Sequence, residues 1–135
     1  MVQNQSTAES NKMSKQLNQP KQERTQKRME QVLKTTEELI LSIGLEKISI
    51  PEVANASGVP RASIYQFFPT KYDLLRHIAL QHLHELIDQL KTVGLKVILD
   101  HPDEEISTYG RLIAASMIKT TAHFYNQSDV ASMLI

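Results

Sequence analysis

Residues 49–68 read SIPEVANASGVPRASIYQFF, and this stretch decides the fold. Ser49 and Glu52 have the spacing of a capping box, in which each side chain accepts a hydrogen bond from the other residue's backbone N–H. Gly58 permits the positive φ that a tight turn requires. A second short helix begins after that turn and stops before Pro69. The stretch therefore predicts two short helices that are joined by a turn.

The small side chain of Ala54, four residues before Gly58, allows these two helices to cross closely. Four apolar residues are expected to face inward and to fix a steep crossing angle, namely Val53, Val59, Ile64 and Phe67. In that arrangement the second helix protrudes and fits a DNA major groove, which is about 12 Å wide. The spacing therefore predicts a helix-turn-helix.

The chain before this motif divides into a polar arm and an amphipathic helix. Residues 1–23 are rich in Gln, Asn, Ser and Lys and hold few large apolar groups. Such a segment buries too little surface to offset the entropy of ordering, so a disordered arm is predicted. From residue 25 to residue 43, apolar residues recur at three- and four-residue steps, which is typical of a helix. Gly44 supplies a cap at its end.

Three further helices are predicted after the motif. Thr70 and Asp73 form a second capping box at the start of a long helix, which Gly94 is expected to end. A proline and three acids at residues 102–105 suit the first turn of a fifth helix, and Ser128 suits the cap of a short sixth one. No run alternates with a period of two for the length of a strand. The predicted fold class is therefore all-α.

The composition excludes several classes of protein. The chain has 135 residues, with 15 basic and 15 acidic side chains and no cysteine, which excludes a disulfide scaffold, a thiolate zinc site and a cysteine nucleophile. No segment approaches the ~20 apolar residues of a membrane span. The first residues lack the apolar core of a signal peptide. We therefore expect an intracellular protein with no membrane partner.

The charges are unevenly distributed along the chain. Residues 1–76 hold 11 basic and 8 acidic side chains, whereas residues 77–135 hold 4 basic and 7 acidic ones. A positive front part suggests contact with a polyanion such as a nucleic acid. A solvated basic tail is the commoner explanation of such a bias, and both interpretations stay open.

Residues 44–75 resemble the DNA-binding domain of the tetracycline-repressor (TetR) family of bacterial transcription regulators, and the resemblance extends from about residue 25 to residue 90. Its most specific part is a set of spaced residues: Gly58, Val59, Ser63, Ile64, Tyr65, Phe68, Lys71 and Leu74. The resemblance implies a homeodomain-like, three-helix domain at residues 24–72, after a basic arm at residues 1–23. Residues 73–135 then form a long linking helix and an incomplete helical domain for ligand binding and dimerisation.

The resemblance also implies a sequence-specific transcriptional regulator, a repressor that responds to an unknown small-molecule effector. It would bind a palindromic operator in double-stranded DNA as a homodimer, in the bacterial cytoplasm at the nucleoid. Dimerisation is expected through C-terminal helices that are largely absent from this chain. No cofactor, metal or enzymatic activity is expected. The residues expected to contact DNA are Ser49, Arg61, Ala62, Ser63, Tyr65, Gln66 and Lys71.

The family suggests a role for most of these residues. Lys71 aligns with a lysine that grips a phosphate, and Tyr65 with a tyrosine whose hydroxyl meets backbone phosphate, packing being the alternative for Tyr65. Arg61 is expected to reach a guanine or a phosphate, and Gln66 to read a base edge. Ser49 begins a run where many members have Thr-x-Arg, so it either reaches a phosphate or only caps its helix.

Basic residues before the motif are a further expected DNA contact. Some relatives place such arms in the minor groove, although a merely solubilising tail explains the same residues. They are Lys21, Arg24, Lys27 and Arg28. At the start of the recognition helix, Ser63 replaces the commoner threonine and keeps a hydroxyl for a phosphate.

The helices that follow the motif leave three interpretations open. An effector pocket between helices is expected to be lined by apolar residues, with plain core as the alternative. Those residues are Leu83, Leu86, Leu90, Tyr109, Met117 and Phe124. His77 and His84 share a helix face, but no third metal ligand has suitable spacing. A helical module that binds another protein and never DNA would use the same amphipathic helices.

The last apolar residues allow two interpretations as well. Residues 130–135 contain four large apolar side chains with no cap after them. We expect them to belong to a longer helical domain than the chain contains. The alternative is a terminal turn that docks on the chain's own core.

Overall fold

Six α-helices make up the part of the chain that the computed structural model describes, which is the backbone of residues 5–135 with the side chains of Lys12 and residues 19–135. They are α1 (Gln5–Ile43), α2 (Ile50–Ser57), α3 (Arg61–Phe67), α4 (Lys71–Asp100), α5 (Ile106–Gln127) and α6 (Asp129–Leu134). A single turn of 3-10 helix at Leu45–Lys47 links α1 to α2. Residues 5–135 contain no strand, which confirms the all-α prediction.

Local capping sets the ends of the short helices α2 and α3. The Ser49 hydroxyl accepts a hydrogen bond from the backbone N–H of Glu52 at 3.3 Å. Gly58 ends α2 in the left-handed conformation, at φ 72° and ψ 7°, and its N–H donates to the Ala54 carbonyl. The predicted bond from the Ser49 N–H to the Glu52 carboxylate does not form between these two described residues, so only half of that capping box is present.

The main core lies where α1, α2, α3 and the first turns of α4 meet. Val53, Val59 and Ile64 are buried there as predicted, together with Leu74 and Ile78 of α4. These side chains anchor α3 to the helices behind it. The two short helices therefore sit on a rigid apolar base.

The prediction that Phe67 faces the core is wrong. Phe67 is 46% exposed, whereas the neighbouring Phe68 is only 5% exposed and packs in the core. A helix turns 100° per residue, so the residue four positions after Ile64 returns closer to its face than the residue three positions after it. Phe68 therefore takes the inward position.

The first helix is longer than the sequence predicts. Its backbone is helical from Gln5, so it runs through most of the segment predicted as a disordered arm, while residues 1–4 lie outside the described part. Backbone hydrogen bonds within a helix need no core, and Gln, Lys and Glu are good helix formers. The side chains of residues 19–24 are nevertheless exposed. Their exposure is consistent with the prediction that this segment buries too little surface to join a core.

The fourth helix passes through the glycine that was expected to end it. Gly94 lies inside α4, which continues to Asp100. A Cβ built on Gly94 would lie 3.7 Å from the Met117 Cε of α5, so the two helices pack at this point. That packing offsets the cost of a helical glycine, which is about 1 kcal/mol relative to alanine. The fifth helix begins at Ile106 with Glu105 as N-cap, so residues 102–104 precede its first turn.

The short helix α6 contacts two apolar clusters, the main core and a smaller one. Val130 joins the main core, and Ala131 packs with Leu86 and Phe124 in a second, smaller cluster. The Ser128 hydroxyl caps α6 by accepting from the Ala131 N–H at 3.1 Å, as predicted. The sequence analysis left two alternatives for residues 130–135, part of a longer helical domain or a terminal turn on the chain's own core. The contacts of Val130 and Ala131 correspond to the second alternative. No helix in the described part of the chain is long and apolar enough to cross a membrane.

Candidate nucleic-acid interface

Helix α3 presents polar side chains on one side and buries apolar ones on the other. Pro60 precedes its first residue and Phe68 ends it, immediately before Pro69, so it has only seven residues. Ile64 and Phe68 hold it to the core. The side chains of four residues predicted to contact DNA are exposed: Arg61, Ala62, Tyr65 and Gln66. Ser63 is half-buried among them.

The start of α4 adds a positioned cation beside the 3-10 turn. The half-buried Lys71 donates a hydrogen bond from Nζ to the Glu46 carbonyl at 3.4 Å. Its Nζ also lies 5.4 Å from the ring centroid of Tyr72, a cation–π distance. These two contacts restrict the ammonium group to one region of the surface. Lys71 is therefore partly ordered before any ligand binds.

A complete capping box fixes the helix end that carries Lys71. The Thr70 backbone N–H donates to the Asp73 carboxylate at 3.0 Å, and the Asp73 N–H donates to the Thr70 hydroxyl at 3.3 Å. Hydrogen bonds from the Thr70 hydroxyl and then its N–H hold the pKa of Asp73 below its ordinary value of 3.8, with a smaller contribution from Arg76. Asp73 therefore stays ionised at neutral pH, and the predicted box is confirmed.

Ser49, the predicted contact residue that precedes α2, has a structural partner. The Ser49 hydroxyl accepts the hydrogen bond that caps α2. This contact corresponds to the capping alternative for Ser49. Its contact with phosphate stays a prediction.

Residues 32–78 match the family model described as bacterial regulatory proteins, tetR family. The matched range runs from α1 through α2 and α3 into the first turns of α4, so it contains every side chain described above. The helix-turn-helix region is therefore similar to the tetR family. This family consists of DNA-binding transcriptional regulators. Comparison with curated proteins and with solved structures gave no match.

The basic residues predicted to form an arm before the helix-turn-helix lie on α1 instead. Lys21, Arg24, Lys27 and Arg28 are exposed on that helix. The Lys21 carbonyl accepts a hydrogen bond from the Thr25 hydroxyl at 2.9 Å. Their directions are therefore set by the helix rather than by a flexible chain.

The residues predicted to line an effector pocket after the helix-turn-helix are not all brought together. Leu86, Leu90 and Phe124 pack in the second cluster with Ala131. Tyr109 lies at the other end of α5, where its hydroxyl donates to the His101 carbonyl. Met117, which is 36% exposed, faces Gly94. The sixth residue, Leu83, is half-buried on α4. All six positions stay predictions, and three of them share one cluster.

The structure shows an open groove between α4 and α5 that the sequence analysis missed. It measures about 1140 Å³, and most of the residues around it are of polar type: Gln81, His84, Glu85, Asp88, Gln89, Thr92, Val93, Lys119, Thr120 and His123. The predicted pocket rested on apolar residues, so these polar ones were left out of it. The signal that was available is the recurrence of polar residues on α4 at positions 81, 84, 85, 88 and 92, which is helical spacing.

Two histidines of α4 have packing partners. The His77 ring lies edge-on to Phe68, with 5.5 Å between ring centroids. His82 bonds through Nε2 to the Glu37 carboxylate of α1 at 3.0 Å and faces Phe124 of α5. Among the described side chains, no three His, Asp or Glu residues are grouped closely enough to hold a metal ion.

Proposed function

We propose that this protein is a sequence-specific DNA-binding transcriptional regulator. The observation that carries the proposal is the exposed polar side of α3, which stands on a buried core inside the range that matches the tetR family. A short helix of this kind fits the major groove. Arg61 and Gln66 have the donors and acceptors that base edges require.

The proposed contacts divide into those that read bases and those that hold phosphates. Arg61 and Gln66 belong to the first kind, with Ala62 close enough to the helix start to meet a thymine methyl. Lys71, Ser63 and the Tyr65 hydroxyl belong to the second kind. Ser49 adds a phosphate contact only if its hydroxyl serves a phosphate as well as the α2 cap.

We further propose that the protein acts as a dimer on a palindromic operator, as a repressor in the bacterial cytoplasm. One copy of α3 reads only a few base pairs, so two copies on related half-sites are needed for useful specificity. The effector is proposed to be a small molecule held near α4 and α5. The open groove and the Leu86 cluster are the two places in the described chain that support that proposal.

A protein-interaction module is the second candidate function. Large apolar side chains are exposed at the end of α4 and on α5: Leu95, Ile98, Leu99, Ile106 and Ile118. Exposed apolar surface of this kind is typical of protein contacts. Both candidates allow such contacts, but only the first requires phosphate binding by α3 and α4. Salt dependence separates them, because affinity for DNA falls steeply with salt concentration.

The deciding experiment is a pull-down of genomic DNA fragments followed by sequencing. The wild-type chain is expected to enrich a short palindrome, and an Arg61→Ala/Lys71→Ala variant is expected to lose it. The matched control is Lys96→Ala/Arg111→Ala, which removes two exposed charges outside the helix-turn-helix. Equal enrichment by all three proteins would contradict the proposal.

A missing palindrome needs a second measurement, because a folded monomer binds one half-site weakly. The pull-down is repeated with the chain fused to a dimerising coiled coil. Enrichment by the fusion supports the DNA-binding function and assigns the first failure to dimerisation. No enrichment by a folded, helical fusion overturns the DNA-binding proposal and leaves the interaction module.

A further inference from the structure

A second groove lies beside the first turn of α4, where the 3-10 turn and the end of α6 meet that helix. Leu45 lines it from the 3-10 turn, Lys71 and Leu75 line it from α4, and Met133 and Leu134 line it from α6. We call it the α4–α6 groove. It shares no residue with the open groove between α4 and α5. It therefore brings apolar side chains next to Lys71, the proposed phosphate contact.

The walls of the α4–α6 groove are mostly apolar. Leu75 and Leu134 are half-buried because they also pack against the main core, whereas Met133 is 49% exposed. The ring of Tyr72, which is 67% exposed, lies on the same groove. Covering such apolar surface with the apolar part of a ligand is favourable, because it removes that surface from water. The groove therefore suits a hydrocarbon or aromatic group.

Lys71 adds a cation at the edge of these apolar walls. It forms no ion pair with any described side chain. An ammonium group has three hydrogen-bond donors, and among the described residues only the Glu46 carbonyl accepts one of them. That bond and the contact with the Tyr72 ring hold the ammonium beside the groove. The two remaining donors suit a carboxylate, since charge-assisted hydrogen bonds are the stronger kind.

The size of the α4–α6 groove is that of a small-molecule site. Its volume is about 360 Å³, and pockets for small molecules measure roughly 300–1,000 Å³. Such pockets are mainly apolar, and a few polar groups fix the orientation of the ligand. In this groove the orienting group is one ammonium. The matching ligand therefore has one anionic end and one apolar end.

We infer that the α4–α6 groove binds a small carboxylate with an apolar tail, with the carboxylate on the Lys71 ammonium and the tail against Met133 and Leu134. Such a ligand occupies the cation that the proposed function assigns to a DNA phosphate. Ligand and DNA therefore compete for Lys71, and this second step rests on the proposed function. An effector held between α4 and α5 leaves Lys71 accessible, so the two sites act differently.

The acidic residue on the groove makes the choice of ligand testable. Glu46 is exposed and lines the groove together with Lys71. Its carboxylate repels an anionic ligand, so Glu46→Gln is expected to strengthen the binding of octanoate about twofold, the size of one exposed charge interaction. Octylammonium carries the opposite charge on the same tail. It is expected to bind more weakly than octanoate, because Lys71 repels it.

The first measurement is isothermal titration calorimetry with octanoate as the probe. Lys71→Ala is expected to weaken binding about tenfold, the size of one charge-assisted contact, and Met133→Gln several-fold. The matched controls are Lys96→Ala and Ile118→Gln, which make comparable changes at exposed positions outside the groove. Both are expected to leave octanoate binding unchanged. Circular dichroism verifies that each variant is helical.

Methyl NMR of the methionine side chains locates the bound octanoate. The Met133 methyl resonance is expected to shift on titration, because its side chain lines the groove. Met117 of α5 lies outside the groove, against Gly94, and its resonance is expected to stay in place. A shift of Met117 without a shift of Met133 would place octanoate on the other apolar surface and overturn the inference.

The second measurement tests competition with DNA by fluorescence anisotropy on a mixed-sequence duplex. Octanoate is compared with acetate at equal concentration, because added salt by itself weakens DNA binding. Octanoate is expected to weaken the DNA affinity of the wild type several-fold more than acetate does. In Lys71→Ala the two salts are expected to have the same effect, since the shared cation is absent.

The outcomes separate this inference from the proposed function. Equal octanoate binding by the wild type and Lys71→Ala, or equal binding of octanoate and octylammonium, overturns the inference whatever the DNA result. Octanoate that binds at Lys71 and weakens DNA binding no more than acetate overturns the competition. A wild-type chain that shows no salt-dependent DNA binding overturns the proposed function, while the calorimetry still decides whether the groove binds a carboxylate.

Discussion

The two ends of α4 lie in contrasting surroundings. At its start, Leu74 and Ile78 are fully buried in the main core, and a capping box and positioned lysine face solvent. Towards its end, Leu95 and Leu99 are 59% and 68% exposed, and the second cluster has only three buried residues. The first region is built to hold one surface in a fixed shape. The second has apolar surface and an open groove available for other molecules.

The largest expected effect tests the difference in packing. Leu74→Ala removes a fully buried side chain and is expected to lower the free energy of unfolding by about 3 kcal/mol, within the range for buried leucines. Leu95→Ala, at the exposed end of the same helix, is expected to change it by less than about 0.5 kcal/mol. Urea denaturation followed by circular dichroism measures both. Similar losses for the two variants would contradict the contrast.

The next prediction concerns charge at the two ends. Lys71→Ala is expected to weaken DNA binding about tenfold, the size of one charge-assisted contact. Lys96→Ala removes an exposed lysine from the far end of α4 and is expected to leave the affinity unchanged. Anisotropy at fixed salt compares the two variants. A larger loss of affinity for Lys96→Ala than for Lys71→Ala would place the DNA-binding surface at the far end of α4 and contradict the proposal.

Two glycines respond in opposite directions to alanine. Gly58 has a φ of 72°, so Gly58→Ala is expected to destabilise the fold by about 1–2 kcal/mol. Gly94 lies in regular helix with room for a methyl group near Met117, so Gly94→Ala is expected to stabilise it by up to about 1 kcal/mol. Thermal unfolding measures the two shifts. Shifts of the same sign would show that the local geometry has been misassigned.

The smallest expected effect is the pH dependence of the α4 cap. The pKa of Asp73 is lower in the fold than its ordinary value of 3.8, so its contribution to stability is present above that value and is lost as the pH falls through the folded pKa. Asp73→Asn is therefore expected to be less stable than wild type at pH 7, with a difference that shrinks below about pH 4. A difference that persists at low pH would assign it to another cause.

Local signals made the helix-turn-helix region predictable. The prolines around α3, the turn at Gly58 and the box at Thr70 depend on neighbouring residues only, and each appears as predicted. The family resemblance added the prediction that α3 is the recognition helix. Phe67 and Phe68 show the limit, since adjacent aromatic residues leave the inward one undecided until the helix is packed.

Signals from distant parts of the chain were beyond the sequence analysis. Gly94 predicts a helix end by itself, but packing against Met117 keeps it helical. The apolar stripe on α4 is compatible with a pocket and with plain core, and only the fold shows which residues of α5 meet it. Arg28 of α1 and Ser63 of α3 line one small hollow although they lie 35 positions apart in the sequence.

The central claim, that α3 reads base edges in DNA, has one most direct test. Fragments selected by the wild type are compared by sequencing with those selected by Gln66→Ala and by Lys71→Ala. Gln66→Ala is expected to lose preference at one position in each half-site, a change of about 1–3 kcal/mol, while Lys71→Ala binds more weakly with the same preferences. Identical base preferences for Gln66→Ala and the wild type would contradict base reading by Gln66.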